Sequence, residues 1–302
     1  MAGQTFEGRA LVCRCPRFRA RATRTLVSAI DYQQILYDAA GGIATITLNR
    51  PEKLNAWTMR LGAEVRHAAF RADRDEAVRV IVVTGAGKGY CAGADMNMLQ
   101  GIQRGEGVDV VGDELHVEPD ASLPEALRGE YSYPLGLTKP VIAAVNGVAA
   151  GLGISYMLYY DLRFASDRAR FGFVFPRRGL VAEHGSAWIL PRLVGMANAC
   201  DLLFSGRLVG AEEALAMGLV NRVVPHDALL AHVREYAREL ATQCSPRALR
   251  IMKRQLWADQ FGDLGASIRV ADAEMLASFG SEDFREGIAS FVERRPPRFT
   301  GR

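Results

Sequence analysis

Apolar and polar positions along the chain repeat on two periods, and the switches between them predict the elements. Residues 34–49, QILYDAAGGIATITLN, hold two stretches of period two around Gly41-Gly42, a hairpin signal, and Pro51 ends the second strand. From residue 58 to about 72, Leu61, Val65, Ala68 and Ala69 recur at helical spacing. Residues 78–84, VRVIVVT, and residues 140–145 are almost continuously apolar, as expected of strands buried on both faces. Helical spacing also predicts helices over 122–137, 186–193, 197–204 and 211–217, with short strands at 162–165 and 169–173. Strand, helix and strand in alternation imply parallel strands joined by crossover helices. Residues 101–120, rich in Gly and acids and without a clear period, predict a mobile surface loop.

From Asp227 onward the pattern is helical. Leu229, Leu230, Val233, Tyr236, Ala237 and Leu240 form one stripe, Ser245-Pro246 opens a second helix, and residues 281–294 form a last one. Helices without strands of their own suggest a separate layer that caps the core or packs on another subunit. The predicted organisation is a tail over 1–29, an α/β core over 30–226 and a helical region over 227–302.

Composition narrows the class. The 302 residues carry 37 Lys+Arg against 34 Asp+Glu, a net charge of +3 that argues against nucleic acid as a partner. Arg60, Arg66, Arg71, Arg74 and Arg79 are interrupted by Glu64, Asp73, Asp75 and Glu76, so they form no basic stripe. Cys13, Cys15, Cys91, Cys200 and Cys244 form no CxxC pair, and their odd number points to reduced thiols. No apolar run reaches the roughly 18 residues of a membrane span. Six arginines and a single acid, Glu7, mark the first 29 residues. A disordered tail on a cytoplasmic protein is the simpler reading of them, and a transit peptide to the mitochondrial matrix is the alternative.

Two segments stand out chemically. Residues 84–99, TGAGKGYCAGADMNML, and 139–161, KPVIAAVNGVAAGLGISYMLYYD, each run from an apolar stretch through tiny residues into a helix. Such turns leave backbone N–H groups uncovered, and two of them facing one another would hold an oxyanion, such as that of a thioester enolate. Other chemistries fall away. Gly85, Gly87 and Gly89 place the third glycine one residue early for a dinucleotide loop, and no GxxxxGK[ST], GxSxG or HExxH is present, so no nicotinamide cofactor, phosphate loop, serine elbow or metal site is predicted.

NRPEKLNAWT, GAGKGYCAGADMNML, KPVIAAVNGVAAGLG, DLRFAS and EGIASFVERRPPRF together resemble the enoyl-CoA hydratase/isomerase (crotonase) superfamily over residues 32–302. The resemblance implies a spiral of repeated ββα units with a C-terminal helical region, a homotrimer or dimer of trimers, and an acyl-CoA thioester as substrate, with coenzyme A arriving as part of it and no tightly bound cofactor. It places the two oxyanion-binding amides on Ala94 and Leu152. It also places contacts to CoA at Lys53, Leu54, Ala56, Ala92, Gly93, Asp95, Met96 and Gly151, Lys53 meeting a phosphate. As read from the residues alone, Lys53 is equally a solvated lysine, Asp95 a helix cap, and Tyr131 and Tyr133 either core or pocket wall.

Departures from the family pattern decide the expected chemistry. Where the resemblance to hydratases calls for two glutamates, this chain has Ser155 and Phe175, which cannot hold and deprotonate a water. Glu183, in GLVAEHGSAW, matches the acid of family branches that move double bonds. Phe173, Phe175 and Trp188 are expected to form a dry wall that raises its pKa. His184 is expected to point away from it, as a solvated or structural residue. The leading expectation is an isomerase using one carboxylate. A hydratase with unusual acids and a non-catalytic CoA-binding protein are the alternatives, and a Glu183 that only favours the dipole of the following helix is the bland reading.

Overall fold

The computed structural model describes residues 30–106 and 111–302, and all elements below belong to the compact unit Tyr32–Arg302. The predicted tail over 1–29 and part of the predicted loop, residues 107–110, lie outside the described residues. β1 (Ile35–Ala40) and β2 (Ile43–Leu48) pair as the expected hairpin, with Gly41 and Gly42 at φ of +60° and +82°, values that suit glycine in a two-residue turn. α1 (Met59–Arg74) begins at Thr58, whose hydroxyl accepts from the Leu61 amide at 3.0 Å, and β3 (Val80–Gly85) follows. One unit then recurs: β4 (Gly89–Cys91) leads into α2 (Met96–Gln103), β5 (Val141–Val145) and β6 (Val148–Ala150) into α3 (Leu152–Met157), and β7 (Leu162–Ser166) and β8 (Arg170–Gly172) into α4 (Ser186–Val194). After α5 (Met196–Ser205), β9 (Leu208–Gly210), α6 (Ala211–Ala216) and β10 (Arg222–Val224), the chain is helical: α7 (Leu229–Gln243), α8 (Pro246–Ala258), α9 (Leu264–Phe279) and α10 (Glu282–Glu293).

From β3 to β8 successive strands are dealt alternately into two sheets, which makes the path a spiral. The larger sheet has the order β1-β2-β3-β5-β7-β10 and the smaller β4-β6-β8-β9. Alternation of side chains along β3 and β5 explains their unbroken apolar runs. Val80, Val82, Ile142 and Ala144 face α7, whose Leu229, Val233 and Ala237 are buried against them. Ile81, Val83, Ala143 and Val145 join Leu61, Val65, Ala68 and Ala72 of α1, and Cys91, Ala149 and Phe171 of the smaller sheet, in the main core. Glu64 of α1 is fully buried, and its carboxylate accepts from the Gln33 and Gln34 amides at 3.0 and 2.7 Å, so the charge has partners.

Three expectations need correction. Residues 122–137 are not a helix: they hold two 3₁₀ turns, Glu125–Leu127 and Tyr133–Gly136. Pro134 has no N–H to donate into a continuing α-helix, and it sits instead in the first turn of the short 3₁₀ segment, where none is needed. Residues 101–120 are only partly a surface loop, because α2 runs on to Gln103 and Leu115 and Val117 are buried. The small-residue segments also contain strands, β4 and β6, that were expected as loop.

Candidate active site

β4 and β6 are parallel neighbours, so the turns at their C-terminal ends lie side by side. Contact between them is close enough to demand glycine: a Cβ on Gly93 would meet the Ala150 carbonyl oxygen at 3.0 Å and the Gly151 Cα at 3.7 Å. Both residues have positive φ, +103° and +50°. Segment 54–57 clamps the first turn. The Trp57 amide donates to the Gly93 carbonyl at 2.7 Å, the Asp95 amide to the Trp57 carbonyl at 2.9 Å, and the Ala92 amide to the Leu54 carbonyl at 3.0 Å. In the second turn the Gly151 amide donates to the Gly172 carbonyl at 2.9 Å. The amides of Ala94 and Leu152 have no acceptor among the described residues.

Both turns open on a cavity of about 620 Å³. Ala94, Leu152, Glu183, Lys53, Ala56, Ala92, Gly93, Asp95, Met96 and Gly151 all line it; of the residues expected to bind the oxyanion, move the proton or touch CoA, only Leu54 does not, contributing its carbonyl to the clamp instead. Met98, Leu99 and Ile102, just after the first turn, and Arg178 and Leu180, ahead of Glu183, complete much of the wall. Two carboxylates line the cavity among the described residues, and their environments differ. Asp95 caps α2 through the Asn97 amide and binds Arg50 Nη2 at 2.8 Å. Burial works to raise its pKa, but Arg50, the Asn97 amide and Lys53 together hold the carboxyl below the usual range. Burial also pushes the Cys91 thiol up to about 12, against the Gly93 amide and Arg50, which leaves it inert as a nucleophile.

Glu183 makes no such bonds among the described residues. Its carboxylate caps nothing: Gly185 precedes α4 without a side-chain cap, and it is the Glu183 backbone carbonyl that accepts from the Ser186 amide at 3.0 Å. Burial raises the Glu183 pKa and lowers that of His184. His184 does not point away: its Nε2 lies 3.8 Å from Glu183 Oε2, because His184 and Gly185 have φ of +51° and +80° and fold the ring back towards the cavity. The expected dry wall is also revised. Phe175 lines the cavity, whereas Phe173 is in the core and Trp188 stacks on Phe261 at 5.1 Å. Tyr131 takes their place, parallel to His184 at 3.7 Å between ring centroids, and its hydroxyl stays protonated, with a pKa pushed up to about 12 by burial and by Glu130 and Glu183. Tyr133 is buried in the core. Ser155 is sealed in: its hydroxyl donates to the Gly151 carbonyl at 3.2 Å and accepts from Ser186 Oγ at 3.0 Å. Two open amides beside one uncommitted carboxylate form an arrangement able to hold an oxyanion and move a proton between neighbouring carbons.

Comparison with known proteins gives a consistent result. The family model described as Enoyl-CoA hydratase/isomerase matches residues 38–302. A protein of Escherichia coli (strain K12) named 1,2-epoxyphenylacetyl-CoA isomerase is 35% identical over 276 residues, covering 89% of this chain and 98% of its own. A probable enoyl-CoA hydratase of Rhodobacter capsulatus is 40% identical over 277 residues, covering 90% and 100%. The crystal structure of a probable enoyl-CoA hydratase/isomerase from Mycobacterium abscessus superposes with a TM-score of 0.77 at 33% identity, over 89% of this chain and 99% of that one. With its alternating sheets, C-terminal helices and paired turns, the chain belongs to the enoyl-CoA hydratase/isomerase family.

Proposed function

We propose that the protein isomerises the double bond of an enoyl-CoA thioester. In this reading the thioester oxygen sits between the Ala94 and Leu152 amides. Glu183 takes a proton from C2 of a 3-enoyl-CoA, the electron pair passes to the thioester oxygen as a dienolate, and the protonated Glu183 returns the proton to C4. Each amide donor contributes about 10²–10³-fold where water is excluded, and the base about 10²–10⁴-fold. Lys53, Ala56 and the backbone of 92–96 would hold the CoA portion, Lys53 through a phosphate.

The observation that carries this reading is the solitude of Glu183. Asp95 is neutralised by Arg50, and Ser155 and Phe175 occupy the positions where the resemblance to hydratases calls for carboxylates. Product analysis tests it. Incubated with a 3-enoyl-CoA, the protein is expected to yield the 2-enoyl isomer without added oxygen. A 3-hydroxyacyl product from 2-enoyl-CoA at a higher rate would assign hydration instead, as the name of the Rhodobacter relative suggests for that protein.

We also infer that the chain works as a homotrimer or a dimer of trimers. The support is α9, which has no buried residue although Leu264, Ile268, Met275 and Leu276 are 75, 51, 58 and 70% exposed.

A further inference from the structure

Beside the site lies a second cavity, of about 330 Å³, and Met59 and Tyr131 line both. One face of α1 bounds it, since Met59, Gly62, Ala63 and Arg66 recur at helical spacing. Trp57 and Tyr156, both buried and with ring centroids 4.7 Å apart, give it an aromatic wall. Gly62 makes room for that wall, because a Cβ there would meet Trp57 Nε1 at 2.9 Å. Of the charged residues that line the cavity, Asp113 and Glu130 are exposed and Arg66 is half-buried. The two side chains shared with the site differ in stiffness. A methionine turns about three bonds and yields to what presses on it, whereas the Tyr131 ring is held flat on His184 at 3.7 Å between centroids and edge-on to Tyr156 at 6.5 Å. Glu183 lies near enough to act on the Tyr131 hydroxyl, so the ring stands next to the carboxylate.

We propose that Tyr131 sets the acyl chain length, ending the site cavity just past the reacting carbons and closing off the cavity along α1, so that the protein takes short-chain acyl-CoA thioesters. The inference rests on the reading above, in which the thioester oxygen sits at Ala94 and Leu152 and Glu183 faces C2 and C4. A chain that continues past C4 leaves that carboxylate beside the Tyr131 ring. Each methylene moved from water onto an apolar wall tightens binding roughly fourfold. In wild type that gain stops at the ring. With the ring removed, the chain reaches Trp57, Tyr156 and the face of α1, and the gain resumes. A third cavity, of about 340 Å³, is the other space a longer chain could take, since Tyr131 and His184 line it with Trp188 and the half-exposed Phe261. Ala63 separates the two directions, because it lines the cavity along α1 and not the third one.

The test is calorimetric binding of two unreactive saturated thioesters, hexanoyl-CoA and dodecanoyl-CoA, read as the ratio of their affinities, so that a general loss of CoA binding in a variant cancels. Wild type is expected to hold dodecanoyl-CoA no more than threefold tighter than hexanoyl-CoA. Tyr131→Ala is expected to raise that ratio at least tenfold, and Tyr131→Phe, which keeps the ring, to leave it within twofold. Adding Ala63→Leu to Tyr131→Ala refills the cavity along α1 and is expected to return the ratio to within threefold of wild type. A wild type that already gains with each methylene, or a Tyr131→Ala variant with the wild-type ratio, overturns the proposal. A gain that survives Ala63→Leu overturns the cavity along α1 as the space behind the ring. These affinities involve no proton transfer, so the two readings fail separately. The expected ratios together with a 3-hydroxyacyl product would remove only the isomerase reading, and isomerised product with unchanged ratios only the role of Tyr131.

Discussion

Glu183 Oε2 and His184 Nε2, on adjacent residues, lie 3.8 Å apart in the wall of one cavity. Burial raises the carboxyl pKa above its ordinary 4.5, and the base is needed ionised, so kcat/KM should rise with pH through a value above 4.5. The stability effect has the opposite sign. A raised folded-state pKa favours the fold below the unfolded-state pKa, and that contribution is lost as pH rises through the folded value. Glu183→Gln should therefore gain thermal stability over wild type at pH 8, with the gap closing below the ordinary carboxylate range. Melting temperatures at pH 4 and 8 check this.

Gly93 and Gly151 should each tolerate no side chain. Alanine at 93 meets the Ala150 carbonyl oxygen at 3.0 Å from a backbone at φ +103°, and at 151 it requires φ +50° with ψ −125°. Each substitution should cost roughly 1–3 kcal/mol of stability. Turnover should fall about 10²–10³-fold, as for loss of one oxyanion donor. Denaturant unfolding and initial rates measure the two effects separately.

Asp95 is expected to be structural. Asp95→Ala removes the cap of α2 and leaves the Arg50 guanidinium with only the Ala56 carbonyl as acceptor, and should destabilise by roughly 1–3 kcal/mol. Asp95→Asn keeps an accepting cap and loses the charge pair. Because the folded-state pKa of Asp95 is depressed, the stability gap between wild type and Asn should be present above the unfolded pKa and vanish as pH falls through the folded one. Urea midpoints across pH 2–6 read it out.

Self-association should depend on α9. Sedimentation equilibrium is expected to give three or six copies of the 33.0 kDa chain, and Leu276→Asp to shift the distribution to smaller species. A monomeric wild type would remove this part of the account.

The long buried strands β3 and β5 were legible because every side chain on them is covered, and the two turns because their glycines have no substitute. Strands of three residues, such as β4 and β6, are too short to show a period. The false helix over 122–137 had apolar residues at helical spacing, and it is interrupted at Pro134, which has no N–H to donate. α9 carries no buried stripe within one chain, so its pattern offered no face to find. The orientation of His184 follows from left-handed backbone at two successive residues, which side-chain chemistry does not announce.

The role of Glu183 is tested most directly by Glu183→Gln, with binding of a non-reactive acyl-CoA and turnover of a 3-enoyl-CoA measured on one preparation. The account predicts affinity within about threefold of wild type and turnover lower by roughly 10²–10⁴-fold. Turnover that is unchanged while the variant binds normally would contradict it.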